Sequence, residues 1–266
     1  MGESDQPKGN LKPQVYKDPR PAEHFNRFHA RTRAKRPNWM YELVRLVLTP
    51  YLLIFFRTRA IDSDKVPAGG PAIVAPNHFS FLDHFFVSVY LRRKVQFMAK
   101  SQLFKAPMQV VYHNGGVFPV RRGHRDDEAF KSAHAVLARG GIVVMYCEGG
   151  RSRTGELGEA KPGIGRLALE SGAPVVPTAL VGSERVRDWK RLQFPKVTVQ
   201  FGDPIRFERV DDPDRGQSQA ASEEIFRRIK GLWQGLRENG RAATVKARRA
   251  ARHDADPAAG SRPATD

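Results

Sequence analysis

Ala72-Ile73-Val74-Ala75, then Asn77-His78-Phe79-Ser80-Phe81-Leu82-Asp83, then Phe85-Phe86-Val87-Ser88-Val89: a polar turn between two apolar runs decides how this chain is read. The first run reads as a short buried strand, and the second belongs to a helix. His78 and Asp83 stand five positions apart, and inside one helix five steps would set them roughly 140° apart, on different faces. They meet only if His78 lies on the loop and Asp83 on the first turn of the helix that follows. That geometry suits an imidazole base whose second nitrogen is held by a carboxylate. Ser80-Phe81-Leu82-Asp83 also fits a capping box, with Ser80 as cap and Asp83 in the first turn. The stretch alone leaves a structural and a catalytic reading open.

Working outward, strand-like and helix-like runs alternate from residue 61 to about residue 210. Strands are expected at Ala72–Ala75, Val95–Ala99, Val117–Val120, Ile142–Tyr146, Val175–Val181 and Val197–Phe201. Helices are expected at Asp83–Leu91, Pro107–His113, Asp126–Arg139 and Pro162–Glu170. Acidic residues open the third of these helices, where the helix dipole favours them, and Gly140-Gly141 ends it. Pro162 suits a first turn, and Gly172 closes the fourth. Such alternation argues an α/β fold with a mixed, largely parallel sheet flanked by helices. Ser222–Leu236 is an amphipathic closing helix.

The flanks differ in character. Residues 1–37 are rich in Pro, Lys and Arg and read as a mobile basic arm. Residues 38–60 carry an apolar helix whose uncharged part, Leu46 to Phe56, is eleven residues, against the 20 or so that a bilayer span needs. Glu42 and Arg45 interrupt it, and Pro50 should kink it. Trp39, Tyr41 and Tyr51 are aromatics of the kind found at lipid interfaces, and Arg57 and Arg59 follow, ready for anionic headgroups. A helix lying in or dipping into one leaflet is favoured over one packed on the domain. Residues 61–238 then form the main domain, and residues 239–266, dominated by Ala, Arg and Pro, read as a disordered tail.

The balance of 45 basic against 28 acidic residues, a formal charge of +17, calls for an anionic partner. Charge alone allows a nucleic-acid binder, but the cations sit in tails and beside glycines, without a helix–turn–helix or an aromatic-studded RNA motif. A phospholipid surface fits better, and nucleic acid is not expected. The single cysteine, Cys147, rules out an internal disulfide and a multi-cysteine zinc site. No metal-ligand constellation is found. No signal peptide is expected in the first 37 residues, which lack an apolar core.

Three of the expected strands run into polar clusters. Ala72–Ala75 leads to Asn77, His78 and Asp83; Val117–Val120 leads to Arg121 and Arg122; Ile142–Tyr146 leads to Glu148-Gly149-Gly150-Arg151-Ser152. Ligands of open α/β sheets bind beyond the carboxyl ends of strands, so parallel strands would put all three clusters on one rim. Arginine forks grip phosphate bidentately, although two arginines alone more often make a solvated turn. Gly149 and Gly150 let backbone N–H groups approach an anion, Arg151 supplies charge, and Lys161 brings a further cation. Glu148 either orders the loop through an arginine or touches substrate hydroxyls; the first is preferred, since a carboxylate aimed at phosphate would repel it. No Gly-Lys-Ser/Thr ends the loop, so it is not a Walker loop. His84 would point elsewhere on its helix, and His113, His124 and His134 lack a carboxylate at a telling spacing.

His78-x4-Asp83, Gly116–Arg122, Glu148-Gly149-Gly150-Arg151-Ser152 and Val175-Val176-Pro177 resemble, in order and spacing, the four blocks of the glycerophospholipid acyltransferases, and the chain is similar to the 1-acylglycerol-3-phosphate acyltransferases among them. The resemblance covers roughly residues 38–210. It departs at Gly150, where the third block usually has Thr, and at Arg121, where the second block usually has an acidic residue; both bear on the acceptor headgroup. The resemblance implies that His78 is the general base, that Asp83 fixes its tautomer, and that Arg122, Arg151, Arg121 and Lys161 hold the acceptor phosphate. Glu148, Gly149, Gly150 and Ser152 would order the loop. It further implies an acyl-CoA or acyl carrier protein thioester as co-substrate with no cofactor, a lysophospholipid acceptor, and a place at the cytoplasmic face of the cell membrane.

Overall fold

The computed structural model describes residues 18–122, 126–152, 154–186, 192 and 194–255, with side chains to residue 252. The helices are α1 (Asn26–Ala34), α2 (Trp39–Phe55), α3 (Asp83–Ser88), α4 (Met108–Asn114), α5 (Asp127–Ala138), α6 (Pro162–Ser171) and α7 (Arg215–Ala255). The strands are β1 (Arg59–Ile61), β2 (Ala72–Pro76), β3 (Val95–Lys100), β4 (Val117–Val120), β5 (Ile142–Val144), β6 (Val175–Val181) and β7 (Thr198–Phe201). They form one sheet in the order β1-β7-β6-β2-β5-β3-β4. The five strands from β6 to β4 run parallel, β7 turns antiparallel to β6, and β1 follows β7. The sheet is thus mixed and largely parallel, as expected.

Its strands are buried on both faces, which is why they read as unbroken apolar runs. Alternate residues serve opposite layers. Val74, Ile142, Val144, Val176 and Leu180 pack with Leu52, Phe56, Phe86 and Val87 of the α2–α3 side. Ile73, Ala75, Val143 and Val175 pack with Ala133, Val136, Ile164, Leu167, Ile225 and Ile229 from α5, α6 and α7. At the tightest crossing, α6 lies on α7 through Gly165, whose backbone N–H donates to Ser222 Oγ at 2.9 Å. A Cβ at Gly165 would stand 2.0 Å from the Ser218 carbonyl oxygen, so only glycine fits there.

Three expectations on the flanks are corrected. From residue 18 the basic arm is ordered: Phe25 and Phe28 are buried against Phe104, and Arg20 pairs with Asp18 while donating to the Ser101 and Phe104 carbonyls. Residues 1–17 lie outside the described residues. The tail is helical to Ala255, with a break at Gly240 (φ 72°, ψ 163°). Beyond the break, Arg241 donates to Thr198 Oγ1 and to the Val197 and Arg57 carbonyls, and Arg248 and Arg252 pair with Asp62. In both flanks, charge that reads as disorder is spent on backbone carbonyls and buried carboxylates. The third correction concerns Tyr41, which is buried with its hydroxyl 3.4 Å from Val95 N, part of the packing and not of an exposed aromatic belt.

Helix α2 keeps a mixed position. Leu52 is buried, but Trp39, Leu46, Val47 and Ile54 are 65%, 73%, 60% and 69% exposed. The helix continues through Pro50. Among the described residues, no helix is long and apolar enough to cross a membrane.

Candidate active site

Because β2, β5, β3 and β4 are parallel neighbours, the segments leaving β2, β4 and β5 emerge at one edge of the sheet. His78 sits in the loop after β2, and Asp83 is the first residue of α3. Asn77 fixes where that loop departs. Its side chain donates to the Leu180 carbonyl and accepts from Leu180 N at 3.1 and 2.7 Å, extending the β2–β6 pairing by one peptide-like unit.

Asp83 Oδ2 lies 2.8 Å from His78 Nδ1 and accepts from the backbone N–H groups of Phe79 and Ser80 at 2.7 and 2.8 Å. The cap geometry and the histidine contact are therefore one device: the carboxylate that closes the turn also grips the imidazole. Asp83 is fully buried, and Ser80 Oγ accepts from Leu82 N to complete the turn. A carboxylate at Nδ1 sets the tautomer with the proton on Nδ1, leaving Nε2 with its lone pair.

The loop after β5 closes on the same histidine. Glu148 Oε1 accepts from His78 N and Oε2 from Gly158 N, both at 2.9 Å. Ser152 N donates to the His78 carbonyl at 2.8 Å. Gly149 makes the turn with φ +63°. Glu148 thus binds backbone on both sides of the loop and joins it to the β2 segment; burial raises its pKa. The far end of the loop leans on α7: Glu156 pairs with Arg237, whose guanidinium lies 4.3 Å from the Trp233 ring centroid. Phe79 packs in the same cluster as Trp233.

Burial pushes the pKa of His78 below the ordinary histidine value; hydrogen bonding and charge from Asp83 oppose this, while the positive charges of Arg151 and Arg122 add to it. The two arginines are therefore close enough to act electrostatically on the imidazole. Arg121 is engaged elsewhere, its guanidinium donating to the Arg20 carbonyl and its backbone N–H to Asp126. Lys161 lies beside Gly149 of the loop, its backbone N–H on the Cys147 carbonyl and its ammonium paired with Glu159.

His84 packs its ring against Phe85 and Phe97, and burial lowers its pKa to about 4. His134 does have a carboxylate, Glu170 at 2.7 Å on the neighbouring helix, a partner too distant in sequence for spacing to reveal. His124 lies outside the described residues. One site residue escapes the motif reading altogether. The Tyr146 ring stacks on His78 with centroids 3.8 Å apart and planes 18° from parallel. The available signal was an aromatic two positions before Glu148 at the end of a strand, but the contact depends on β2 and β5 being neighbours.

A family model described as acyltransferase matches residues 57–181. The chain is 29% identical over 164 residues to the 1-acyl-sn-glycerol-3-phosphate acyltransferase LPAT1, chloroplastic, of Arabidopsis thaliana, a match covering 59% of this chain and 46% of that protein. It is 28% identical over 147 residues to the 1-acyl-sn-glycerol-3-phosphate acyltransferase beta of Homo sapiens, covering 52% and 51%. The chain thus spans about half the length of these curated relatives. Among solved structures it resembles the 1-acyl-sn-glycerophosphate acyltransferase PlsC from Thermotoga maritima, with a TM-score of 0.53 and 20% identity over 79% of this chain and 88% of that one, a likeness of fold. All four sequence blocks fall inside the matched residues, and the segments of three of them leave the parallel strands β2, β4 and β5 at one sheet edge. Residues 57–181 match the acyltransferase family, and the chain is similar to the glycerophospholipid acyltransferases within it.

Proposed function

We propose that this chain transfers a fatty acyl group from an acyl thioester to the free hydroxyl of a 1-acylglycerol 3-phosphate, with His78 as general base. The observation that carries the reading is the 2.8 Å His78 Nδ1–Asp83 Oδ2 contact, with the carboxylate locked by two backbone N–H groups. His78 Nε2 takes the hydroxyl proton as the oxygen attacks the thioester carbonyl, and Asp83 stabilises the imidazolium that forms. Collapse of the tetrahedral intermediate forms the ester and breaks the C–S bond. The leaving thiolate recovers the proton from the imidazolium. A depressed histidine pKa keeps the base form populated near neutral pH. Arg122 and Arg151 are the candidates for the acceptor phosphate, by charge and by their influence on His78. Similarity to 1-acyl-sn-glycerol-3-phosphate acyltransferases supports the same reading.

Gly150 and Arg121 bear on the acceptor. The first removes a side-chain hydroxyl from the loop, and the second places a cation, here bound to Arg20, where the family usually has an acid. Purified protein is supplied with labelled acyl-CoA or acyl carrier protein thioester and with lysophosphatidate, other lysophospholipids, an ornithine lipid precursor or glycerol 3-phosphate, and products are read by mass. Phosphatidate from lysophosphatidate is expected to dominate. Thioester consumption only with another acceptor would move the assignment to that acceptor, and none with any would end it.

We also propose that α2 rests on an anionic membrane surface, because Trp39, Leu46, Val47 and Ile54 leave an apolar face uncovered beside a basic chain. Leu46→Glu with Val47→Glu is expected to lower flotation with phosphatidylglycerol vesicles. Unchanged flotation would remove α2 from that role.

A further inference from the structure

We propose that Tyr146 is a positioning residue for His78, its ring fixing the plane in which the imidazole presents Nε2. The inference rests on the base role proposed above. The imidazole plane turns about the Cβ–Cγ bond, a broad torsion, and a single hydrogen bond at Nδ1 limits that rotation only within its own angular tolerance. The rotation is narrowed further by a contact on the ring face. The Tyr146 ring provides it by lying flat on the imidazole, 3.8 Å between centroids and 18° from parallel.

The fold explains why this side chain is there. Along and beyond β5, Val144 faces the α2–α3 layer, while Val143, Met145 and Cys147 face the other. Tyr146 continues the Val144 side, where His78 and Asp83 lie. Two residues later Glu148 takes the His78 backbone N–H. One short segment therefore holds His78 at its main chain and at its ring face. The Tyr146 hydroxyl is buried and has no hydrogen-bond partner among the described residues, so what His78 receives from Tyr146 within the protein is the ring face. If Tyr146 merely filled space, an aliphatic side chain of comparable bulk would serve as well.

Two variants separate these cases. Tyr146→Phe keeps the stacked plane and should retain kcat within about 3-fold. Tyr146→Leu loses the plane and should lower kcat by about 10–100-fold, the scale of loss that small misplacement of a reacting group produces. Both KM values should change little; the smaller leucine lowers the melting temperature somewhat, so kcat is compared well below it. In protein labelled at histidine, the His78 ring protons should be shifted upfield by the tyrosine ring current in wild type and Tyr146→Phe, and return downfield in Tyr146→Leu. A Leu variant with wild-type kcat, or a Phe variant as impaired as the Leu one, would overturn the proposal, the latter by making the hydroxyl the active group. If the wild-type protein transfers no acyl group, the base role fails, and the ring-current shift still decides whether Tyr146 holds the imidazole.

Discussion

Asp83→Asn changes one atom at the centre of the site and can be worked through from the geometry. Asp83 Oδ2 receives three donors, namely His78 Nδ1 and the backbone N–H groups of Phe79 and Ser80. An asparagine carbonyl can accept from the same three, so the turn into α3 and the imidazole orientation should survive. What disappears is the negative charge facing the imidazolium of the transition state. For charge centres about 4 Å apart at an effective dielectric near 20, that interaction is about 4 kcal/mol. At about 1.4 kcal/mol per factor of ten, the expected loss is about 10³-fold in acyl-transfer rate. The loss should appear in kcat, because the ion pair exists only once the proton has moved. The assay is thiol release from acyl-CoA at saturating lysophosphatidate, with circular dichroism to check the fold. A correctly folded Asp83→Asn enzyme within tenfold of wild type would refute the reasoning.

The remaining predictions concern the neighbours of the pair. Neutral imidazole is the active form, and the positive charge of Arg151 lowers the His78 pKa. Arg151→Ala should therefore raise that pKa and move the acid limb of kcat/KM, which reports the free enzyme, to higher pH; a limb that stays or moves to lower pH would contradict the placement. Glu148→Gln puts an amide where two backbone donors need acceptors, and one orphaned donor costs about 1–3 kcal/mol, to be read as a lower urea midpoint together with reduced turnover. Gly165→Ala drives a methyl into the Ser218 carbonyl at the α6–α7 crossing and should cost about 1–3 kcal/mol by overpacking, seen as a lower melting temperature; an unchanged value would mean that the helices separate freely.

The central sheet was legible because parallel strands covered on both faces leave the same apolar signature wherever they occur. Ala72–Pro76 and Val175–Val181 are buried along almost their whole length. Val197–Phe201 reads equally well as a strand, but nothing in its composition says that it runs against β6. The three-residue β1 is too short to show a period. His78, Asp83 and Glu148 could be picked out because their functional spacing is local or lies on a glycine-rich loop. Tyr146 could not, since its partner is 68 positions away and meets it only across paired strands. The flanks were misjudged for a related reason. Arg20 and Arg241 are surface charges by composition, yet each is fixed by carbonyls that only the folded sheet and its turns present.

The proposed chemistry depends on the imidazole after β2. Transfer of a labelled acyl group to lysophosphatidate should be measured in a single turnover for wild type and His78→Ala at equal, verified folding. A positioned base contributes about 10²–10⁴-fold, so a loss of at least about 100-fold in the chemical step is expected. A His78→Ala protein that transfers the acyl group at close to the wild-type rate would contradict it.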